Sequence, residues 1–373
     1  MPLLSVRNLT TRFYTYEGVV KALDGVTFDV ERGETFALVG ETGCGKSVTA
    51  LSILRLVPEP PGKIVDGEVI LDGENLLSLS DKELREIRGR RIAMVFQDPM
   101  TYINPVFTIG DQISEAILLH QDLRREALKM KIEELRSLSK ANPSRSIVDK
   151  INSKIEKLES SLENPPRLSR GELKRAALKK TIEVLKMVKM PYPDKVVKQY
   201  PHELSGGMRQ RAMIAMALSC RPDLFIADEA TTSLDVTIQA QILQLLNELK
   251  EKLDTSVIII THDLGIVAEM CDRVGVMYAG NIVETARTED LFKEPLHPYT
   301  QGLLNAIPKL DEEVEELHVI PGSVPNLINP PSGCRFHPRC QYAMEICRKE
   351  KPSMVEKKRD HRVACHLFPS GAD

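Results

Sequence analysis

Residues 40–47 have the types and spacing needed to bind a nucleotide phosphate. They read GETGCGKS and match the pattern G-x-x-x-x-G-K-S/T at every fixed position. Glycine is needed there because the backbone must wrap closely around the phosphate, where a Cβ would clash. We expect Lys46 to place its charge on the phosphate oxygens and Ser47 to bind Mg²⁺. The residues predicted to contact the nucleotide are Gly40, Glu41, Thr42, Gly43, Cys44, Gly45, Lys46, Ser47 and Val48.

Polar side chains follow three other apolar runs, each typical of a buried strand. The residues in these positions are Gln97, Asp228, Glu229 and His262. Each is ordinary when taken alone, but together with a phosphate loop they suit hydrolysis. Asp228 and Gln97 are predicted to hold Mg²⁺ with Ser47, whereas Glu229 polarises the attacking water. His262 is expected to donate a hydrogen bond to a γ-phosphate. We therefore predict catalytic roles for Gln97, Glu229 and His262.

A second anion site is predicted at residues 204–211, which read LSGGMRQR and open a helix. Ser205 is a good N-cap, and the two glycines after it leave the helix N-terminus bare. One nucleotide has no obvious way to use both this site and the phosphate loop.

An adenine ring could stack on an aromatic side chain near the amino terminus. Phe13, Tyr14 and Tyr16 are interpreted as lying in a polar loop, where any flat π-face can stack on a base. Ordinary strand packing is the alternative for each of them.

The elements that must position these residues can be read from hydrophobic periodicity. Residues 3–36 alternate apolar and polar side chains and predict antiparallel strands. The apolar run 35–39 predicts a strand that enters the phosphate loop, and residues 48–57 predict a helix that leaves it. Further buried strands are predicted at 91–96, 224–227 and 257–260. The expected fold is therefore α/β.

Residues 121–190 differ in composition from the rest of the chain. Lys and Arg number 18 against 10 Asp and Glu, and no residue is aromatic. A helical hairpin that projects from the core fits the stripe Ile147, Ile151, Ile155, Leu158 and Leu162. Its positive charge could face anionic lipid headgroups, but a solvated helix face is the favoured interpretation.

Overall composition excludes several classes of protein. The chain of 373 residues is 42% hydrophobic with a net charge of −3, so nothing indicates a nucleic-acid partner. No run approaches the length of a transmembrane helix, and residues 1–13 lack the apolar core of a signal peptide. We expect a globular protein that is neither secreted nor membrane-spanning.

Four of the seven cysteines are concentrated in the tail with the spacing C-x5-C-x6-C-x17-C. In a reducing compartment this indicates a metal site rather than disulfides. Four thiolates can hold zinc or an iron–sulfur cluster, and the close C-x2–4-C pairs usual for zinc are missing. Free or disulfide-bonded cysteines are the remaining alternative. The ligands would be Cys334, Cys340, Cys347 and Cys365.

Taken together, these motifs resemble the nucleotide-binding subunit of an ATP-binding cassette (ABC) importer. The most specific match is LSGGMRQR, the family signature, placed ahead of LFIADE at 224–229, the Walker B strand. The resemblance covers about residues 3–286. The other matching motifs are the Walker A loop at 40–47, the Q-loop at Gln97, the D-loop at Ser233, Leu234 and Asp235, and the H-loop at His262.

In this family two such subunits pair head to tail, so that the signature of one closes on the ATP held by the other. The resemblance therefore accounts for the two anion sites. The residues implied to contact the partner's ATP are Leu204, Ser205, Gly206, Gly207 and Met208.

A closer resemblance is to the oligopeptide/dipeptide branch, through QDPMTYINP, YPHELSGGMRQR, DVTIQAQIL, HPYTQGLL and the tail IPGSVPNLINPPSGCRFHPRC. Ala230 replaces a usual proline, Cys44 replaces a common serine, and the helical region is longer by several tens of residues. Members of this branch with such cysteines resemble 4Fe–4S proteins, which favours that cluster over zinc. The branch also includes importers of nickel and of oligosaccharides.

The resemblance implies a P-loop NTPase (RecA-like) core with an antiparallel β subdomain and an enlarged α-helical subdomain. The ATPase domain would span 1–290, with its helical subdomain at about 98–200, and a cysteine-rich C-terminal extension would span 291–373. The function implied is ATP hydrolysis that drives peptide uptake, with ATP, Mg²⁺ and a cluster as cofactors. A soluble ABC ATPase without a transport role is the alternative from another class.

The implied partners are a second, non-identical ATPase subunit, two transmembrane permease subunits and, indirectly, an extracellular solute-binding protein. The implied location is peripheral, on the cytoplasmic face of the cell membrane.

Overall fold

The computed structural model describes residues 1–96, 102–141, 144–230, 235–306 and 320–369. Within these ranges the strands are β1 (Leu4–Thr15), β2 (Gly18–Val30), β3 (Thr35–Val39), β4 (Gly62–Leu71), β5 (Glu74–Asn75), β6 (Ile92–Val95), β7 (Leu224–Asp228), β8 (Ser256–Thr261), β9 (Arg273–Tyr278), β10 (Asn281–Arg287), β11 (Val355–Lys358) and β12 (His361–Val363). The helices are α1 (Lys46–Ile53), α2 (Asp81–Ile87), α3 (Ile109–His120), α4 (Arg124–Ala141), α5 (Arg145–Ser160), α6 (Arg170–Met187), α7 (Pro193–Val196), α8 (Gly206–Leu218), α9 (Val236–Leu253), α10 (Leu264–Met270), α11 (Thr288–Lys293), α12 (Pro298–Asn305) and α13 (Glu345–Lys349).

The main sheet has the strand order β11-β12-β10-β9-β3-β8-β7-β6. Strands β9, β3, β8, β7 and β6 run parallel to one another. Every residue of β3, β7 and β8 is buried, because parallel strands are covered on both faces. Their continuous apolar runs, such as TFALV in β3, meet that requirement. The predicted α/β core with its phosphate loop after β3 is confirmed.

A second, antiparallel sheet has the order β2-β1-β4-β5. Phe28 on its β2 stacks on Phe36 of β3 with ring centroids 5.0 Å apart, so the two sheets share an apolar core. The antiparallel strands expected before the phosphate loop are therefore present. The loop predicted for the aromatic residues is wrong, because Phe13 and Tyr14 lie within β1 and only Tyr16 lies in the turn before β2. Both lie at the carboxyl-terminal end of β1, where the side chains of Tyr14 and Thr15 are exposed.

The basic region forms three helices, α4, α5 and α6, of which α4 and α5 form the hairpin. Arg136 of α4 pairs with Glu159 of α5, and Ser139 contacts Asn152, so the two helices run antiparallel. In the apolar stripe of α5, Ile155 is buried whereas Ile147 is 46% exposed.

Helix α6 does not belong to that hairpin. It begins with a Ser169/Glu172 capping box and packs on α3, where the hydroxyls of Ser114 and Thr181 share a buried hydrogen bond of 2.9 Å. Helix α6 thus contributes its apolar face to the helical core, and an insertion at about 121–190 stays a prediction.

The described part of the tail, residues 320–369, is built onto the main sheet. Strand β12 pairs with β10, and buried His361 contacts buried Glu284 at 2.8 Å. Phe336 packs its ring against Tyr278 and Tyr299, with centroids 5.1 and 5.4 Å away. The tail packs these residues into the core of the preceding region, as expected for a segment without a core of its own.

Candidate nucleotide-binding site

The phosphate loop connects β3 to α1 at the carboxyl edge of the parallel strands. Gly40 has φ +149°, and a Cβ there would lie 2.2 Å from the carbonyl oxygen of Met277. The N-cap of α1 is Gly45, with φ +108°. Lys46 is buried and donates to the carbonyl oxygens of Gly40 and Glu41 at 2.7 and 3.1 Å. The loop thus holds an ammonium group at the N-terminus of a helix, which suits an anionic ligand.

Ser47 and Asp228 come together although 181 positions separate them in the chain. The Ser47 hydroxyl donates to Oδ1 of Asp228 over 3.1 Å. Burial raises the pKa of the Asp228 carboxyl, and the hydrogen bond from Ser47 acts against that increase. A hydroxyl beside a buried carboxylate fits the oxygen ligands that Mg²⁺ prefers, so these two residues fit the predicted metal.

Glu229 and His262 form a second pair beside the first. Nδ1 of His262 lies 3.3 Å from Oε1 of Glu229, whose side chain is 15% exposed. The backbone of Glu229 has φ +47° and donates its N–H to the carbonyl oxygen of Ile260. A non-glycine residue in the left-handed region is strained, and the hydrogen bond to Ile260 keeps the backbone in this conformation at the end of β7. The structure therefore brings the predicted water-polarising group and the predicted phosphate donor together.

Three predicted residues, Gln97, Ser233 and Leu234, lie outside the described residues. Asp235 of the predicted D-loop is described, and its side chain caps α9 by accepting the N–H of Ile238 at 2.9 Å. A helix N-cap is thus an established contact for this residue.

The second anion site is the N-terminus of α8. Ser205 caps the helix by accepting the N–H of Met208 at 3.4 Å, as the sequence predicted. Leu204 is buried, whereas Ser205 and Gly206 are exposed. Gly207 fits tightly, because a Cβ there would lie 2.9 Å from Ile238. Gly206 therefore faces solvent, whereas Gly207 allows α8 to pack against Ile238.

Of the three aromatic candidates for adenine stacking, the two that lie in β1, Phe13 and Tyr14, differ in their environment. Phe13 is partly buried and opposes Gly62 of β4, where an added Cβ would lie 2.9 Å from the Phe13 ring. Tyr14 is 51% exposed. Phe13 therefore packs within the sheet, and Tyr14 is the better of the two candidates for stacking on adenine.

Two residues that contact the loop were missed in the sequence. Tyr299 accepts the backbone N–H of Glu41 at 2.8 Å, and Arg339 contacts the Glu41 carboxylate at 2.6 and 2.9 Å. They lie 258 and 298 positions from Glu41, and no local spacing connects them to it.

The four tail cysteines are near one another but do not form a metal-binding group. Burial raises the pKa of the Cys365 thiol to about 11, with contributions from the other three thiols. The backbone N–H of Cys334 donates to the carbonyl oxygen of Cys347 at 2.8 Å. In the part of the chain that the structure describes, which includes all four cysteines, no three His, Cys, Asp or Glu side chains are arranged to hold a metal ion.

The predicted cluster and its zinc alternative are therefore not supported by this arrangement. Contacts within the protein also attach the tail to the core. Arg335 donates to the carbonyl oxygen of Ala279 and pairs with Asp24 at 3.1 Å. Together with Phe336 and His361, these contacts bind the tail to the core.

Among the described residues no helix has the length and apolar character required to cross a bilayer.

Comparison with known proteins gives two family matches. The ABC transporter family matches residues 23–232, and the family described as oligopeptide/dipeptide transporter, C-terminal region, matches residues 283–347. The second match covers Cys334, Cys340 and Cys347 of the tail.

Similar curated proteins span nearly the whole chain. A probable peptide ABC transporter ATP-binding protein of Sinorhizobium fredii is 49% identical over 97% of this chain and 94% of its own. A dipeptide transport ATP-binding protein of Bacillus subtilis is 46% identical over 99% of this chain and 96% of its own.

A similar solved structure is a dimeric ATP-binding cassette in a post-hydrolysis state, bound to ADP and phosphate. It is 25% identical with a TM-score of 0.55, and the match covers 76% of this chain and 98% of that one. The phosphate loop, the acidic end of β7 and these similarities agree, and the chain belongs to the ABC transporter family of ATP-hydrolysing subunits, in its oligopeptide/dipeptide branch.

Proposed function

We propose that this chain is the ATP-hydrolysing subunit of an importer that takes up dipeptides or oligopeptides. The observation that carries the proposal is the contact of Ser47, at the N-terminus of α1, with Asp228, together with the pair Glu229 and His262 at the ends of β7 and β8. The peptide substrate is supported by the names of the curated relatives and by the match of the tail to the oligopeptide/dipeptide transporter region. Nickel and oligosaccharides are the alternative substrates.

In this proposal Lys46 and the loop N–H groups bind the ATP phosphates, and Ser47 and Asp228, with Gln97, hold Mg²⁺. When bound, the metal neutralises charge on the phosphates. Glu229 accepts a proton from the attacking water, because its carboxylate is held at the strand end next to Asp228. His262 is oriented by its contact with Glu229 and donates to the transferred phosphate.

The subunit is proposed to work in a head-to-tail pair with a second, non-identical ATPase subunit. The support is that Ser205 and Gly206 stand exposed at the N-terminus of α8, where a partner's phosphate could reach them. The residues proposed to face the partner are Leu204, Ser205, Gly206, Gly207, Met208, Ser233, Leu234 and Asp235.

An apolar groove offers a place for a permease subunit. It has a volume of about 320 Å³ and lies between β6 and the helices α3 and α8. Phe96 and Tyr102 stack at its edge with centroids 4.1 Å apart, and Tyr102 is exposed. A groove between the sheet and the helical region suits transmission of motion to a membrane partner. The proposed location is therefore peripheral, on the cytoplasmic face of the membrane.

The proposal is tested by purifying the tagged full chain from solubilised membranes of its own cells. Two hydrophobic permease subunits and a second ATPase subunit should co-purify. Cells that lack the chain should lose uptake of labelled peptides and keep uptake of nickel and oligosaccharides. Recovery with ribosomes or DNA and without membrane subunits would instead support a soluble ABC ATPase.

For the tail we propose that a 4Fe–4S cluster binds Cys334, Cys340, Cys347 and Cys365, with zinc as the alternative. The support is the proximity of the four thiols: burial, together with the charges of the other three thiols, raises the pKa of the Cys365 thiol to about 11. The arrangement described above lacks a formed ligand group, so binding would require the thiols to move closer.

Replacement of Cys347 by Ser should bleach a brown anaerobic preparation and leave the ATPase core folded. Cys220→Ser is the matched control, because Cys220 lies outside the tail and should leave the colour unchanged. Iron, sulfide and zinc analysis distinguishes the metals. Colourless wild-type protein with four titratable tail thiols would refute the site.

A further inference from the structure

Arg339 of the tail forms an ion pair with Glu41 of the phosphate loop. Its Nη1 and Nη2 atoms donate to the two carboxylate oxygens of Glu41 at 2.6 and 2.9 Å. This is a bidentate pair, which fixes direction as well as distance. The Arg339 side chain is only 6% exposed, so water screens the pair weakly.

The Arg339 side chain is also held by contacts with residues other than Glu41. Its Nε donates to the carbonyl oxygen of Pro321 at 2.8 Å, and Nη2 reaches that of Ile320 at 3.3 Å. The guanidinium also lies 5.7 Å from the ring centroid of Tyr278, a cation–π contact. These contacts with the tail and with β9 fix the orientation of the Arg339 guanidinium. The guanidinium in turn positions Glu41.

Both backbone polar groups of Glu41 form hydrogen bonds. Its N–H donates to the Tyr299 hydroxyl at 2.8 Å, and its carbonyl oxygen accepts from Lys46 at 3.1 Å. Tyr299 is buried and packs against Tyr278 with centroids 4.6 Å apart. Glu41 therefore connects the tail to the ammonium group that binds phosphate.

We propose that Arg339 is a positioning residue for ATP binding, which acts by holding Glu41 and with it the phosphate loop. The inference rests on the proposed ATP site. The loop contains Gly40, Gly43 and Gly45, and a glycine-rich loop loses much conformational freedom when it closes on a ligand. A contact that restricts the loop beforehand lowers that cost and tightens binding.

The test is a double-mutant cycle on the purified full chain with Glu41→Gln, Arg339→Gln and the double variant. Each single change should raise the Kd and the KM for Mg·ATP about tenfold, with kcat changed less than about twofold. The Kd of the double variant should be no higher than that of the single variant with the higher Kd, because the two residues act as one unit.

The matched control is the exposed tail pair Arg362 and Glu356, which lie 3.8 Å apart and do not touch the loop. Arg362→Gln and Glu356→Gln should leave the Kd for ATP unchanged. Arg339→Lys should recover part of the affinity, because a lysine keeps the charge and loses the fork.

Linkage gives a readout that does not depend on hydrolysis. If Arg339 ties the loop to the tail, bound ATP must in turn order the tail. ATP should slow amide hydrogen exchange at residues 334–340 in the wild type and less so in Arg339→Gln.

An unchanged Kd in both single variants, additive effects, or a fall in kcat alone would overturn the inference. If Arg339→Gln fails to fold, Glu41→Gln decides the matter alone, because Glu41 lies at the loop edge and is 28% exposed. Failure of the wild-type chain to bind ATP would refute the proposed function instead.

Discussion

Glu229→Gln should lower the ATP hydrolysis rate by about 10²- to 10⁴-fold, the range of general-base catalysis, while ATP still binds. The amide keeps the shape of the side chain and its contact with His262, but it cannot accept a proton from water. Lys46, proposed to bind the phosphates, contacts Gly40 and Glu41, and Ser47, proposed to hold Mg²⁺, contacts Asp228. Binding and chemistry should therefore separate in this variant.

The measurements are steady-state turnover and the amount of ATP retained by the chain after gel filtration. Glu251→Gln on α9 is the matched control, since Glu251 is exposed and lies away from the strand ends. It should leave both quantities unchanged. Turnover of Glu229→Gln at the wild-type rate would show that another group activates the water.

Gly206→Asp should abolish hydrolysis by the assembled ATPase pair without weakening ATP binding to the isolated chain. Gly206 is exposed at the first position of α8. Acidic residues are favourable at helix N-termini, and folding should therefore be preserved. The new charge would, however, stand where the partner's phosphate must approach, and we expect a loss of at least about 100-fold in turnover.

The control is Gly171→Asp at the exposed N-terminus of α6, where nothing lies within 4 Å of an added Cβ. Both variants gain one negative charge near a Ser N-cap, but only Gly206→Asp should prevent ATP-dependent dimer formation in analytical ultracentrifugation. A large loss of ATP affinity in the monomeric Gly206→Asp chain would contradict the proposal that this site serves the partner.

The sequence by itself determined the elements on which the chemistry depends. A run such as TFALV before GETGCGKS can only be a buried strand that enters a phosphate loop, because both patterns are fixed by local backbone requirements. The same reasoning located Asp228 and Glu229 at the end of β7 and Ser205 at the N-terminus of α8. Parallel strands end at one edge of a sheet, and this brings separate polar positions together.

The tertiary structure decided which distant residues support that site and which predicted roles lack support. The contacts of Tyr299 and Arg339 with Glu41 cross 258 and 298 positions, and the pairing of β12 with β10 has no signature in either strand alone. The tail was expected to need a metal because its apolar content is thin, but ion pairs and aromatic packing attach it to the core. Such contacts depend on how complete surfaces fit together, which residue types and spacing along the chain do not specify.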